Sequence, residues 1–306
     1  MPRRLIAIGG IALVALIVFP TDAWAWTPAT HIFLGESVLT NLGQLPETVA
    51  GLLRAFPYDF LYGNIAADTS MAKKYAPVGR HCHSWHVGQE IYDQAETEAL
   101  RAFGLGYLSH LAADAVAHNF FVPRQLVVTS RTIALGHSYW ESRFETQLGP
   151  EYAKTAMDVI RLGHGDADAH LDQIIAPTIF SVRTNRRLFR GMVGVTETQS
   201  WQRIVRLADK KSRWDIGGDD IERYMGSAFQ YVMELLGGDD DPAPRRLDPA
   251  GEASLRLAKR MRMKVVRGLV SPPIEELVLM ADEHFKVPDE PVPYWKVSNA
   301  HRPWTA

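Results

Sequence analysis

Residues 106–121 read GYLSHLAADAVAHNFF, and this stretch decides the fold of the chain. Its apolar residues recur at three- and four-residue intervals, which is typical of a helix. His110, Asp114 and His118 stand four residues apart, so on one helix they share a face. A carboxylate among Leu, Ala, Val and Phe is costly to bury unless it is paired or bound to a cation. Any one of these residues alone would be better explained as a hydrogen-bonded core residue, but three in register predict metal ligands.

A second pair of ligand-type residues follows in ALGHSYWESRFE, residues 134–145. His137 and Glu141 are four residues apart and again share one helical face. Alone, they would be interpreted as a solvent-side pair that contributes roughly a few tenths of a kcal/mol. Together with the preceding helix they indicate the other half of a divalent metal site, since imidazole and carboxylate groups suit zinc.

Two shorter stretches offer further ligands. In YGNIAADTS, residues 62–70, Asp68 lies in a predicted turn, where a capping role and a metal-binding or catalytic role are equally supported. In RHCHSWHVGQE, residues 80–90, any of His81, His83 and His86 could bind metal. We favour His83 because an aromatic residue, Trp85, follows two positions later.

Helical periodicity also dominates the rest of the chain, and sustained alternation is scarce, so the sequence predicts an all-α fold. The periodic segments are residues 31–45, 90–121, 151–162, 219–236 and 251–269. Residues 237–251, GGDDDPAPRRLDPAG, form the clearest boundary, because Gly, Pro and a run of aspartates end one helix before another begins. We expect a helical domain over residues 26–240, and C-terminal helices with a surface tail over residues 251–306 that pack on the same domain.

The first 25 residues, MPRRLIAIGGIALVALIVFPTDAWA, have the features of a secretory signal peptide. Two arginines precede an apolar run from Leu5 to Phe19, and the small-residue ending predicts cleavage after Ala25. An uncleaved anchor helix is the alternative, but the apolar run is shorter than the ~20 residues that span a bilayer. We therefore expect an exported protein, periplasmic or secreted, whose mature chain begins at Trp26.

Composition limits the possible partners. The 306 residues carry a net charge of −2, so a general polyanion-binding surface is not indicated. The single cysteine, Cys82, excludes an intrachain disulfide, and stability must come from packing or metal.

Two stretches of the chain are basic: residues 183–190, RTNRRLFR, and residues 256–267, RLAKRMRMKVVR. Solvated helix faces are favoured there over faces that bind lipid headgroups. Residues 163–170, GHGDADAH, are interpreted as the start of a helix with N-terminal acids rather than as a metal loop.

The ordered set of residues from Trp26 to about Glu145 resembles the zinc-dependent phospholipase C family, which is related to the single-strand-specific zinc nucleases. The shared order is a tryptophan exposed by cleavage, a nearby histidine, an Asp in a loop, a histidine beside an aromatic residue, and two helices with paired ligands. Three residues separate Asp114 from His118 here, whereas the best-known secreted members have five. The resemblance implies an orthogonal multi-helix bundle with, in this chain, an extra C-terminal helical segment.

The resemblance also implies two to three zinc ions and their ligands. One ion would take Asp68, His83, His110 and Asp114. A second would take the amino group and carbonyl of Trp26 with His31 and the shared Asp114, and the third would take His118, His137 and Glu141. An α-amino group, with a pKa of about 7.7 to 8.0, readily yields its proton to zinc, and only cleavage would expose it. Asp68 is the candidate catalytic residue, which would orient or deprotonate the attacking water.

The expected function is therefore exported phosphodiester hydrolysis, with phospholipase C-type cleavage of a phospholipid headgroup, peripheral membrane contact and a monomeric chain. One alternative is a zinc nuclease, for which Trp85, Tyr139 and Trp140 could stack on bases. The other is a non-catalytic exported protein in which zinc only holds helices together.

Overall fold

In the computed structural model, the described residues are 26–287 apart from 71–74, 78–79, 131, 133–135, 150, 197, 199–202, 204–213, 215, 239–240 and 270–271. The signal peptide predicted for residues 1–25 and the surface tail after residue 287 lie outside them. Among the described helices, none combines the length and apolar content that crossing a membrane requires.

The first half of the chain is helical, as predicted. Its helices are α1 (Pro28–Thr40), α2 (Glu47–Ala55), α3 (Pro57–Ala66), α4 (Trp85–Asp93), α5 (Glu98–Val116), α6 (Val122–Val128) and α7 (His137–Leu148). A 3₁₀ turn, Ala67–Thr69, follows α3, and a π-helical turn, Ala117–Phe121, joins α5 to α6. The segment predicted as one helix over residues 90–121 is therefore divided among α4, α5 and the π turn.

The second half is also helical, and the described part of the chain contains no strand. Its helices are α8 (Glu151–Arg161), α9 (Gly165–Ile174), α10 (Val182–Thr196), α11 (Gly218–Gly237), α12 (Glu252–Val266) and α13 (Ile274–Phe285). A 3₁₀ turn, Ala243–Arg246, lies between α11 and α12. The all-α fold class is confirmed.

Helix α3, which ends just before the turn with Asp68, and helix α5, which carries His110, cross in backbone contact. A Cβ added to Gly63 of α3 would lie 2.1 Å from the Phe103 carbonyl oxygen, and one added to Gly106 of α5 would lie 2.1 Å from the Phe60 carbonyl oxygen. Only glycine permits so close an approach. The crossing brings the end of α3 beside the middle of α5, which places the turn with Asp68 near His110.

The regular α-helix of the opening stretch ends at Val116, five residues before the end of the periodic segment at residue 121. In the π turn the Val122 amide donates to the Ala117 carbonyl, five residues back. Pro123 has no amide hydrogen to donate, so the regular ladder of α-helical bonds is interrupted at this position. His118 lies in this π turn, directly after the regular helix that carries His110 and Asp114.

The C-terminal helices pack on the region that contains the π turn. Helices α12 and α13 both contact α6 and the π turn. Gly251, with a positive φ of 57°, precedes α12 and lies against the backbone of His118. A segment more than 100 residues downstream thus adjoins the predicted ligands.

Candidate metal centre

Asp114 lies at the centre of a buried cluster of five side chains, His31, Asp68, His83, His110 and Asp114. Its Oδ1 is 3.2 Å from His31 Nε2, and its Oδ2 is 2.8 Å from His83 Nε2 and 3.2 Å from His110 Nε2. All five are buried, with exposed fractions of 2% or less. We call this set the five-ligand cluster; helices α1 and α5 and the segments after α3 and before α4 contribute to it.

Asp68 completes the five-ligand cluster from the 3₁₀ turn after α3. Its Oδ1 is 3.4 Å from His83 Nε2 and 3.9 Å from His110 Nε2. The carboxylate faces the two imidazoles.

Hydrogen bonding fixes which nitrogen of His110 can bind a cation. His110 Nδ1 lies 2.7 Å from the Asn64 carbonyl oxygen and donates to it. In the neutral ring, Nε2 is then an acceptor, yet it faces the Asp114 carboxylate and lies 3.1 Å from His83 Nε2. A cation bound between these atoms would be held by the His110 lone pair and the carboxylate together. The donor set therefore fits a metal ion.

The pKa values agree with a neutral His31 beside an ionised Asp114. Burial, followed by the neighbouring His110, lowers the pKa of His31 to about 4. Burial by itself would raise the pKa of Asp114, but His110, His31 and His83 outweigh it and hold that pKa well below its usual range. Neutral imidazoles and a charged carboxylate are the protonation states that bind a metal ion.

A second cluster adjoins the first and contains His118, His137 and Glu141; we call it the three-ligand cluster. Its ligand atoms all lie within 4.8 Å of one another, and His137 Nε2 is 2.6 Å from Glu141 Oε1. Both His137 and Glu141 are buried, so the interpretation of this pair as a solvent-side pair is wrong. Helix α7 begins at His137 and turns both side chains inward.

His118 is oriented by the loop that precedes α12. Its Nδ1 donates to the Pro249 carbonyl oxygen at 2.5 Å, which leaves Nε2 as the acceptor. Nε2 is buried and makes no hydrogen bond to any described residue. Burial is the main cause that lowers the pKa of His118 to about 3. The ring is thus held neutral with one lone pair directed into the three-ligand cluster.

The two clusters are close enough to act on one substrate. The ring centroid of His118 lies 6.4 Å from that of His83 and 5.1 Å from that of His137. Catalytic zinc is typically held by three protein ligands, often imidazole and carboxylate groups, with an open position for water. Such neighbouring sites occur in enzymes that transfer phosphoryl groups.

Comparison with known proteins agrees with this geometry. Residues 30–181, about half of the chain, match the family model described as zinc dependent phospholipase C. The chain belongs to the zinc-dependent phospholipase C family. A search of curated proteins found no match, and a search of solved structures found none. The matched residues contain both clusters, whereas Trp26 and the loop with Pro249 lie outside the match.

Of the three histidines in RHCHSWHVGQE, the structure brings His83 into the five-ligand cluster of this family member. His81 Nδ1 accepts a hydrogen bond from the backbone amide of His83, and His86 is exposed beside Ser84. His81, Cys82 and His83 also lie close enough to form a small metal-binding group of their own. Cys82 Sγ lies 3.3 Å from His83 Nδ1, so the thiol contacts a ligand of the five-ligand cluster.

Trp26 is fully buried next to the five-ligand cluster. Its indole Nε1 donates to the carbonyl of Ala113, the residue before Asp114, at 3.1 Å, and its ring stacks on Phe121. Residue 25 lies outside the described residues, so ligation by the Trp26 amino group stays a prediction. The indole contacts place the start of the mature chain predicted from the sequence beside Asp114.

The remaining candidates from the sequence have structural roles. Asp166 and Asp168 lie in the first turn of α9, as predicted for a helix start. Asp168 accepts hydrogen bonds from Tyr62 and Arg190, and no metal-type group is found there among the described residues. Trp140 is buried, so it cannot stack on a nucleic-acid base.

Several residues that support the centre have no signature in the sequence. The carbonyls of Asn64 and Pro249 orient two histidines, but every residue type carries a backbone carbonyl. Asn119, a polar neighbour of His118, donates to the Asp248 carbonyl and accepts from Ser254. The Gly and Pro residues of 237–251 are the one sequence signal for the loop that contains Pro249, and they predict only a boundary between two helices.

Proposed function

We propose that this family member is an exported zinc-dependent hydrolase that cleaves phospholipids between the glycerol and the phosphate. The observation that carries the proposal is the convergence of the Nε2 atoms of His31, His83 and His110 on the Asp114 carboxylate in a fully buried site. A cation bound among these atoms would satisfy all of them at once. Membership in the family makes zinc the expected cation and a phospholipid the expected substrate class.

We further propose the ligand sets that the resemblance implies. Asp68, His83, His110 and Asp114 would hold one ion, and the Trp26 amino group and carbonyl with His31 and Asp114 would hold another. His118, His137 and Glu141 would hold the third. Zinc at these positions would polarise phosphoryl oxygens and lower the pKa of bound water toward about 7. The adjacency of the two clusters supports this arrangement.

Asp68 is the proposed proton acceptor. Its carboxylate enters the five-ligand cluster from a short turn, whereas Asp114 is engaged by three imidazoles at once. Asp68 Oδ1 lies at longer distances from His83 and His110. A carboxylate that adjoins the metal ligands is within reach of a metal-bound water and can accept its proton.

The decisive experiment measures metal content and product release on the same preparation of the mature protein. We expect two to three zinc ions per chain and release of phosphorylated headgroup from phosphatidylcholine. Asp68→Asn should abolish release, while Asp166→Asn, an exposed acid on α9, should leave it unchanged. Zinc-free protein at neutral pH would overturn the proposal.

Two other results would identify the alternatives. Release of nucleotides from single-stranded DNA without headgroup release would indicate a zinc nuclease. Bound zinc without hydrolysis of either substrate would indicate a structural metal site.

A further inference from the structure

Helix α12 presents a strongly basic face to solvent. It buries Leu255, Ala258 and Met261 against the fold. Successive side chains of a helix are rotated by ~100°, so the charged side chains of α12 project away from the buried ones, within an arc of about 140°. The exposed residues of this arc that carry charge are Glu252, Arg256, Lys259, Arg260, Lys264 and Arg267.

The positive charge of this arc contrasts with the rest of the chain. Glu252 is its only acid and pairs with Arg256, and no Asp or Glu occurs from residue 253 to residue 273. The whole chain has a net charge of −2, so this concentration of cations on one face is local. Arg262, by contrast, points inward and donates to the Thr132 carbonyl.

Two exposed apolar side chains accompany the cations. Met263 lies on the same arc with 42% exposure, and Leu269 follows the helix with 69% exposure. The Leu269 amide donates to the Lys264 carbonyl and the Gly268 amide to the Val265 carbonyl, with Gly268 at a φ of 68°. This Schellman-type ending fixes Leu269 in an outward position instead of leaving it in an open loop.

The combination points to a lipid surface. Basic side chains interleaved with exposed apolar side chains on one helical face bind the headgroup region of anionic bilayers. Single-stranded nucleic acid would require aromatic stacking platforms, and residues 250–283 contain no Phe, Tyr or Trp. We propose that the exposed arc of α12, with Leu269, docks this protein on bilayers that contain anionic phospholipid.

The docking face is continuous with the metal centre. Gly251 lies against the backbone of His118, and Ser254 Oγ donates to Asn119 Oδ1 at 3.1 Å. At ~1.5 Å per residue, Lys259 lies only about 12 Å along the helix from Gly251. A bilayer on this face would lie beside the three-ligand cluster, and the use of such docking for catalysis rests on the proposed function.

The test compares two charge variants of the zinc-loaded mature protein. The docking variant combines Lys259→Gln, Arg260→Gln, Lys264→Gln and Arg267→Gln. The control variant combines Arg54→Gln, Arg101→Gln, Arg161→Gln and Arg187→Gln, which removes the same charge from exposed positions on other helices. Sedimentation with vesicles of phosphatidylcholine alone, or with about a third phosphatidylglycerol, measures binding.

We expect the unmodified protein to prefer the anionic vesicles and to lose binding as salt is raised. Each cation removed from α12 should weaken binding about fivefold, so the docking variant should lose on the order of several hundredfold while the control variant loses little. A variant that combines Met263→Gln with Leu269→Gln should also bind vesicles more weakly, and the size of this loss should not depend on the salt concentration. Hydrolysis of a monomeric short-chain phosphatidylcholine should be equal in all variants.

Three results would overturn the docking proposal. They are equal binding to both vesicle types, equal losses in the two charge variants, or selective retention of single-stranded DNA that the α12 substitutions abolish. Failure of the proposed function would be observed separately, as an absence of hydrolysis of the monomeric substrate, whether or not the protein binds vesicles.

Discussion

Replacement of Gly251 by alanine tests whether the loop before α12 holds His118 in place. Gly251 has a φ of 57°, and an added Cβ would lie 2.4 Å from the carbonyl oxygen and 2.5 Å from the Cβ of His118. These atoms cannot rotate away, because they belong to the backbone or adjoin it. Either the π turn or the loop must move, and the bond from His118 Nδ1 to the Pro249 carbonyl must lengthen.

The expected cost has two parts. A left-handed conformation costs alanine ~1–2 kcal/mol relative to glycine, and forced overpacking costs a further ~1–3 kcal/mol. A loss of about 2–5 kcal/mol corresponds to a fall in melting temperature of roughly 4–20 °C for a domain of this size. Because His118 loses its orienting carbonyl, affinity for the ion of the three-ligand cluster should fall 10–100-fold, as is typical when such a partner is removed.

Thermal melting and zinc analysis after dialysis measure both effects. Gly268→Ala is the matched control, because its φ is 68° but an added Cβ meets nothing within 4 Å. We expect Gly251→Ala to lose one zinc ion and to melt lower than Gly268→Ala, with the ions of the five-ligand cluster retained. Identical melting temperatures and zinc contents for the two variants would refute the role of the loop.

Three further perturbations test the helix crossing, the buried histidines and the N-terminus. Gly106→Ala places a methyl group 2.1 Å from a carbonyl oxygen of α3, so it should lower the melting temperature and zinc content, whereas Gly191→Ala, with open space around its Cβ, should do neither. In the folded protein the pKa values of His31 and His118 fall from 6.5 to about 4 and about 3. As the pH is lowered, the unfolded chain therefore takes up a proton on each of these rings before the folded chain does. Zinc-free protein should therefore keep its stability above pH 6.5 and lose on the order of 2 kcal/mol per histidine by pH 5, and an unchanged urea midpoint would contradict this. A mature chain that retains Ala25 before Trp26 should bind one zinc ion fewer; unchanged zinc content and rate would exclude the amino group as a ligand.

The all-α fold and the pairing of ligands could be predicted because both depend on local periodicity. His110 with Asp114, and His137 with Glu141, stand four residues apart, and helical geometry alone brings each pair together. The Asp114 carboxylate was informative because residues 106–121 contain no other Asp, Glu, Lys or Arg, and its burial is costly without a cation. Each of these signals lies within a single helix, so it can be recognised in the sequence without knowledge of the tertiary contacts.

The orientation of the His118 ring could not be predicted from the same periodicity. The rule of four residues places His118 on the face of Asp114, but it does not reveal the π turn before Pro123 or the contact that orients the ring. The partner that orients its ring is a main-chain carbonyl 131 residues away. No residue type encodes such a carbonyl, and residues 237–251 indicated a boundary rather than a component of the centre.

The bond between His118 and Pro249 also affects when the centre can form. Both clusters draw their ligands from residues 31–141, which a ribosome would complete early, but the carbonyl that sets His118 emerges only after residue 249. Contacts so distant in sequence form late in folding. The three-ligand cluster would therefore be completed only after the chain extends beyond residue 249, and a chain cut short before Pro249 would carry its ligands without the group that aligns them.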